Sequence, residues 1–429
     1  MTALRIALCA LLMLLLTACG GGGGGTVAST SGIAGNAGLS NPPTGSNVVP
    51  VSVDAGDAAI EPSGAFYPDV PYTTVKVCVP GTSHCATIDH VEVDTGSSGL
   101  RLMAASLGTL GSELPAESSG SQQFAECLPF VESYSWGSVR TVDLYVGGET
   151  AHAVPVQIIG DATYSVPAAC SSSGLTASNT PQSFGANGLI GIGNLAYDCG
   201  ADCASSSQSG YYYLCTPGAA GSCTEATAPL ADQLPNPITR FEADSSGIAD
   251  NNGSLITLPA LPVAGADTAS GVLVFGIGTR ANNGLGSATV HLLDALGNMQ
   301  TTYKGTDYSA SYVDSGTGDL EIPDDSIPAC ARSSSAYGYS CPATTLDLQA
   351  TVQGSNTNVI STVNFTAANA AQLFNNNPSY AAFGDLADTQ PPEGDSFAWG
   401  LPFFFGRTVY NSIEGQTVAG QGSSAFLAF

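Results

Sequence analysis

The sequence predicts an all-β protein built of two pseudo-symmetric lobes with a cleft between them. Short runs rich in Val, Ile, Tyr and Thr, such as 72–79 and 139–146, are separated by clusters of Gly, Asn, Asp, Ser and Pro. Helical periodicity is scarce, with 368–374 as the candidate short helix. Two similar strings, VDTGSSGLR at 93–101 and VDSGTGDLE at 313–321, lie in opposite halves of the chain and indicate a duplicated lobe.

Residues 1–19 are predicted to be a signal peptide that ends in a lipid attachment site. A single Arg precedes an apolar run at 6–16, and the Leu-Thr-Ala-Cys that ends at Cys19 resembles a bacterial lipobox. The alternative is an ordinary secretory signal with a chance Cys. Because the apolar run is too short to span a bilayer, we expect a lipid anchor on Cys19 to hold the exported protein in the bacterial cell envelope. Gly20, where an Asp would favour inner-membrane retention, favours the outer membrane.

Residues 20–62 are predicted to be a flexible tether. The segment begins with six consecutive glycines and holds few large apolar side chains, so it buries too little surface to offset its ordering entropy. It contains no Lys or Arg, which argues against a basic inhibitory propeptide.

The rest of the chain is long enough for two lobes, predicted at 63–235 and 236–429, with the boundary in Leu234-Pro235-Asn236-Pro237. The formal net charge of −26 excludes nucleic acid as a partner, because few cations are available to replace its counterions. We expect a monomer.

Ten cysteines remain after the signal peptide and Cys19, as is typical of an exported protein with disulfides. Their spacing suggests four local bridges and one longer one, although ten cysteines allow many other pairings: Cys78–Cys85, Cys199–Cys203, Cys215–Cys223, Cys330–Cys341 and Cys127–Cys170. No Cys-x-x-Cys pair exists and the four histidines are scattered, so neither a metal nor another cofactor is predicted. The acidic residues between 314 and 325 lack the spacing of an EF-hand.

Several short motifs resemble those of the pepsin-like aspartic proteases, and more narrowly a bacterial lipoprotein branch of that family, and they follow one another along the chain in the order that the family has. Asp94-Thr95-Gly96-Ser97-Ser98 matches the first active-site motif, and Asp314-Ser315-Gly316-Thr317 matches the second. Further similarity lies in 187–193, 271–276 and 399–404.

The resemblance implies a function for each motif residue. Asp94 and Asp314 would share one proton and activate a water that attacks a peptide bond. Further residues would support this pair: Thr95 and Ser315 by linking the lobes, Gly96 and Gly316 by letting backbone N–H groups approach, and Ser97 and Thr317 by hydrogen-bonding the outer carboxylate oxygens.

The departures from the family pattern concern the cleft. Arg101 stands where the family usually has Trp, and it could be an ion-paired residue or a substrate clamp. Trp136 beside Gly137 takes the place of the Tyr-Gly pair of the flap, with Tyr134 as the other candidate, although Trp136 could equally be a core residue. Asp319 and Glu321 would raise the pKa of the pair if they pointed inward.

The predicted function is a membrane-anchored endopeptidase that cleaves polypeptides in the cleft. The alternative is an inactive domain of the same fold that binds a protein or a glycan. A glycoside hydrolase also needs two carboxyl groups, but it holds them further apart and its cleft usually carries more Trp than the two here. A serine hydrolase is disfavoured because the chain has no Gly-x-Ser-x-Gly motif with a suitably placed His.

Overall fold

The structure, a computed structural model, describes residues 29–30, 36–60, 67–131, 133–171, 174–218, 223–355, 358–388 and 396–429. The predicted signal peptide and Cys19 lie outside the described residues. Within those ranges no helix has the length and apolar character needed to cross a membrane.

The chain is mostly β-strand, as predicted. The strands of the first half are β1 (Ser29–Thr30), β2 (Asn36–Leu39), β3 (Val48–Val53), β4 (Pro71–Cys78), β5 (Cys85–Asp94), β6 (Ser98–Met103), β7 (Ser118–Ser119), β8 (Gln122–Pro129), β9 (Ser133–Val146), β10 (Glu149–Ile159), β11 (Thr176–Ala177), β12 (Gly188–Ile192), β13 (Tyr212–Cys215) and β14 (Thr224–Glu225).

The second half continues the strand pattern. Its strands are β15 (Gly253–Thr257), β16 (Thr268–Phe275), β17 (Val290–Leu292), β18 (Met299–Tyr303), β19 (Thr306–Val313), β20 (Leu320–Glu321), β21 (Leu346–Gln353), β22 (Ile360–Ala367), β23 (Ala387–Asp388), β24 (Ala398–Trp399), β25 (Thr408–Ser412) and β26 (Phe426–Ala428).

The helices are short. The α-helices are α1 (Ala104–Leu107), α2 (Ala168–Ser171), α3 (Pro181–Phe184), α4 (Ala201–Ser205) and α5 (Ala370–Asn376), and 3₁₀ turns occupy Leu110–Ser112, Ser207–Ser209, Pro237–Arg240 and Leu401–Phe403. The helix predicted at 368–374 is α5, which begins two residues later because the Asn369 side chain accepts a hydrogen bond from the Gln372 N–H and caps it.

The two halves repeat one arrangement of three strands. In the first, β12 runs parallel to β5 and antiparallel to β6. In the second, β24 runs parallel to β19 and antiparallel to β20. β5 ends at Asp94 and β19 ends directly before Asp314, so the repeat confirms the all-β, bilobal and pseudo-symmetric fold that the two motifs predict.

A sheet of strands from both ends of the chain supports the second half. β16 pairs with β15 and with β3, β15 pairs with β25, and β25 pairs with β26. The predicted tether is therefore wrong for residues 36–60, which include β2 and β3. Alternate valines of β3, Val49, Val51 and Val53, are at most 3% exposed, a strand pattern that the polar average composition of the segment conceals.

All five predicted disulfides are present: Cys78–Cys85, Cys127–Cys170, Cys199–Cys203, Cys215–Cys223 and Cys330–Cys341. Four of them close loops of 4 to 11 residues, and Cys127–Cys170 joins β8 to α2. The boundary between the lobes near residue 235 stays a prediction, since β3 precedes both predicted lobes and pairs with a strand of the second.

Candidate active site

Asp94 and Asp314 come together at the bottom of a cleft between the halves. Asp94 is the last residue of β5, and Asp314 follows β19. The apolar strand residues before each Asp are buried in the core, and the polar turn after it brings the chain back into β6 or β20. The two carboxyl groups lie close together, because a Cβ added at Gly316 would lie 2.9 Å from Asp94 Oδ1 and 3.3 Å from Asp314 Oδ1.

Each carboxyl group has the same set of donors from its own turn. The Gly96 N–H lies 2.6 Å from Asp94 Oδ1, and the Ser97 hydroxyl donates to Asp94 Oδ2. The Gly316 N–H lies 2.7 Å from Asp314 Oδ1, and the Thr317 hydroxyl lies 2.8 Å from Asp314 Oδ2. Donors on both oxygens favour ionised carboxylates, which two acids in contact would otherwise resist.

The glycines of the two turns are required by the approach of the carboxyl groups. A Cβ added at Gly96 would lie 2.5 Å from Asp314 Cγ, and one added at Gly316 would lie 2.9 Å from Asp94 Oδ1. Each turn therefore packs directly against the carboxyl group of the other turn, and any side chain at either glycine would separate the pair.

Reciprocal hydrogen bonds join the two turns below the carboxyl groups. The Ser315 N–H lies 2.9 Å from Thr95 Oγ1, and the Thr95 N–H lies 3.1 Å from Ser315 Oγ. The Ser315 hydroxyl donates onward to the Val93 carbonyl at 2.6 Å. Thr95 and Ser315 are both buried, so these bonds form out of water and fix the position of one turn against the other.

The charges and burial around the two carboxyl groups favour a shared proton on Asp314. Burial, the negative charge of Asp94 and the hydrogen bond between the two carboxyl groups raise the pKa of Asp314 well above its ordinary value. Asp314 therefore keeps its proton at a pH where an exposed Asp has lost it, and the pair carries one negative charge rather than two.

Glu92 is a third carboxyl group near the pair that the motifs did not identify. It lies two residues before Asp94, on the same face of β5, and is 8% exposed. Burial and the charges of Asp94 and Asp314 raise the pKa of Glu92 well above its ordinary value. A charged residue between two buried valines was the signal in the sequence.

Asp319 and Glu321 are not among the residues that line the cleft. The charge of Asp319 instead contributes to raising the pKa of Asp69. The Tyr312 pKa is raised by burial first and by Glu321 next.

The cleft is a cavity of about 390 Å³ closed on one side by the tip of the β8–β9 hairpin. Residues 128–131 of this hairpin line the cavity together with both Asp turns, while 296–298 contribute from the second half. The hairpin tip therefore occupies the position of a flap over Asp94.

The three predicted flap residues do not reach the cleft. Trp136 is 2% exposed, its Nε1–H donates to the Tyr164 carbonyl at 3.1 Å, and its ring packs edge-on against Tyr213. Tyr134 is buried in the same cluster, and a Cβ at Gly137 would lie 1.9 Å from the Ile158 carbonyl of β10. The flap prediction is wrong for Tyr134, Trp136 and Gly137, because in β9 these positions face core or neighbouring strand, beyond the hairpin tip.

Arg101 is an ion-paired residue with no exposed side-chain surface. Its Nη2 lies 2.7 Å from Glu126 Oε1 and 3.3 Å from Asp198 Oδ2, and its Nη1–H donates to the Ser98 carbonyl. Tyr212 donates its hydroxyl proton to Asp198 at 2.7 Å. Burial first, and then the charge of Glu126, raise the pKa of Asp198 well above its ordinary value. The network joins β6, which follows the first Asp turn, to the flap strand β8.

In the part of the chain that the structure describes, one group of acidic and histidine side chains has its ligand atoms close enough together to hold a metal ion: Asp57, Asp89 and His90. His90 Nε2 there already faces Asp54 Oδ1 at 3.2 Å. None of these residues lines the cleft.

No curated protein matches the sequence. Among solved structures, the chain is similar to an aspartic proteinase from Irpex lacteus, with 15% identity, a TM-score of 0.48, and 89% of this chain and 96% of the other covered. Residues 43–429 match the family described as "Protein of unknown function (DUF3443)", and the chain belongs to that family.

Proposed function

We propose that this protein is an aspartic-type endopeptidase with Asp94 and Asp314 as its catalytic pair. The observation that carries the proposal is the contact of two carboxyl groups, each with the same two donors, above a buried crosslink between their turns. A structural turn has no need of a second buried acid against it, because placing two acids in contact costs free energy.

The proton distribution assigns a task to each residue. Asp94, ionised, takes a proton from a water that attacks the scissile carbonyl carbon, while Asp314 gives its proton to the carbonyl oxygen. The C–N bond of the resulting diol then breaks. Asp94 passes its proton to the leaving nitrogen, and Asp314 recovers one from a hydroxyl of the diol, which restores the starting state.

The geometry supports peptide hydrolysis over glycoside hydrolysis. Glycosidases hold their two carboxyl groups about 5 Å apart or more, to admit the sugar and in some cases a water. Here each Asp turn packs against the carboxyl group of the other turn, so that the two acids lie close together, and the space beneath the hairpin tip is an open groove bounded by both halves. An extended polypeptide that crosses this groove would place a carbonyl over the pair.

Peptide cleavage tests the proposal. The exported chain, incubated at about pH 4 with a diverse peptide library, should cut internal bonds, and a statine-type inhibitor should block the cutting. Asp94→Asn is the inactive control, and Asp202→Asn, which changes an exposed acid on α4, is the matched one. A folded protein that cuts no peptide would instead support an inactive binding domain.

We also propose that Cys19 carries a lipid that holds the protein in the cell envelope. The support is the lipobox-like Leu-Thr-Ala-Cys after an apolar run. Cys19→Ser should move the protein from the membrane fraction to the soluble exported fraction, and retention of that variant in the membrane would contradict this proposal.

A further inference from the structure

A second groove lies on the second half of the chain and shares no lining residue with the cleft. Its volume is about 850 Å³. Phe365, Phe403 and Phe405 lie along it, with Trp399 at its base, and the Arg407 guanidinium lies 4.7 Å over the Phe403 ring. The aromatic walls provide apolar surface on which the side chains of a bound molecule could pack.

Asp385 is a buried acid in the wall of this groove. It is 7% exposed, and its own backbone N–H donates to the carboxyl group. Within the described residues its Oδ1 has no hydrogen-bond partner, and no cationic side chain pairs with it. Burial raises the pKa of Asp385 to about 6. Leaving a buried carboxyl oxygen without a donor costs free energy, so a bound molecule that supplies a positively charged donor would recover that cost.

The charges around Asp385 also favour a cation. Asp69 is near enough for the charge of Asp385 to raise its pKa, and Asp347 is an exposed acid on the rim of the groove. Arg407, the basic residue in the lining, already donates to the carbonyls of Phe403 and Asn364. A cationic group that enters the groove would therefore meet the carboxyl groups of Asp385 and Asp347, and no cationic side chain of the described residues forms an ion pair with either.

The groove runs along an unpaired strand edge. β22 pairs with β21 along its whole length, and no described strand pairs with its other edge. Asn364, Phe365 and Thr366 of β22 line the groove, and the Asn364 carbonyl accepts from Arg407 at 3.4 Å. An open edge of this kind presents a row of backbone donors and acceptors that an extended chain can pair with.

We propose that this groove binds an extended basic polypeptide segment, which adds a strand to the edge of β22 and places a Lys or Arg side chain against Asp385. The side chains next to that cation would pack on Phe365 and its aromatic neighbours. The site is separate from the catalytic pair, and it would hold a polypeptide whether or not the cleft cuts it.

Calorimetric binding tests the proposal, with the Asp94→Asn variant of the chain so that no peptide is consumed. The probe is a blocked hexapeptide of alternating Val and Lys, and the comparator has Gln in place of Lys. We expect the Lys peptide to bind at least tenfold more tightly than the Gln peptide, and Asp385→Asn to remove that difference. Asp325→Asn, which changes an exposed acid of the same half outside the groove, should leave it unchanged.

Two further measurements locate the bound peptide without relying on a variant. Methyl resonances of Leu261 and Leu348, which line the groove, should shift on titration, and those of Leu128 and Val131 in the cleft should not. A Lys peptide with alternate N-methyl groups should lose most of its affinity, because it cannot donate to β22.

Shifts confined to the cleft, equal affinity for the Lys and Gln peptides, or full affinity of the N-methylated peptide would each overturn the proposal. Since binding is read without cleavage, a protein that cuts no peptide would refute the catalytic proposal and leave this one standing.

Discussion

Replacement of Arg101 by Met should destabilise the protein strongly, and more at neutral than at acid pH. The change removes the cation from a network whose two acids, Glu126 and Asp198, have side chains with at most 1% exposed surface. Breaking a buried ion pair from one side costs about 3–5 kcal/mol, because the remaining charge stays buried without compensation.

The dependence on pH follows from the protons of the network. Without the guanidinium, the folded variant avoids uncompensated buried charge only by binding protons, whereas the unfolded chain releases those protons as the pH rises from 4.5 to 7.5. Holding one proton against that tendency costs about 1.4 kcal/mol per pH unit. The loss in the free energy of unfolding should therefore be smaller at pH 4.5 than at pH 7.5.

Urea unfolding at the two pH values, followed by tryptophan fluorescence, measures the effect. Trp136 lies in the first half of the chain and Trp399 in the second, so both halves contribute to the signal. Arg240→Met, at an exposed Arg, is the matched control. The triple variant Arg101→Met, Glu126→Leu, Asp198→Leu should recover most of the loss, since apolar side chains can replace a buried ionic group. A loss below about 1 kcal/mol for Arg101→Met would mean that the guanidinium does not compensate a buried charge, and an equal loss at both pH values would mean that the protons of Glu126 and Asp198 are not involved.

Three further predictions follow from the geometry of the site and its charges. Gly316→Ala should abolish peptide cleavage without unfolding the protein, because its Cβ would lie 2.9 Å from Asp94 Oδ1. Gly284→Ala, with open space around the new Cβ, should cleave peptides normally. Equal activity of the two variants in a cleavage assay would contradict the packing of each Asp turn against the carboxyl group of the other. Ser315→Ala should cost about 1–3 kcal/mol in urea unfolding, because the Thr95 N–H loses its buried acceptor, and a neutral effect would count against the crosslink. The melting temperature should fall as pH rises from about 5 to 8, because acids with a raised pKa bind protons more tightly in the folded protein than in the unfolded chain. The melting temperature should also fall below about pH 4, where acids with a lowered pKa become protonated. A maximum of the melting temperature above pH 7 in calorimetry would contradict this prediction. The acids with a raised pKa are Asp69, Glu92, Glu149, Asp198, Asp232, Asp314 and Asp385, and those with a lowered pKa are Asp54, Asp57, Asp143, Asp244 and Asp324.

Features set by local sequence could be predicted. The two Asp turns follow from short strings with fixed residue types, and four of the five disulfides join cysteines within 11 positions of each other. The fifth pair, Cys127 and Cys170, remained once the close pairs were assigned.

Features set by contacts between residues distant in the sequence could not be predicted from it. β3 lies in a polar segment, and its valines are buried because β16, more than 200 positions away, covers them. Trp136 was assigned to the flap from its Gly neighbour, but its surroundings depend on Tyr164 and Tyr213. The partners of Arg101 are 25 and 97 positions away, so nothing near it in the sequence distinguishes an ion pair from a substrate contact.

If Asp94 and Asp314 act as one catalytic pair with a single proton, the pH dependence of kcat/KM for a peptide substrate will show it. Measured from about pH 2 to 8, the wild type should give a bell-shaped profile, and Asp94→Asn and Asp314→Asn should each lose about 10²–10⁴-fold or more. A variant that keeps wild-type activity, or a wild-type rate that does not fall on either side of an optimum, would contradict it.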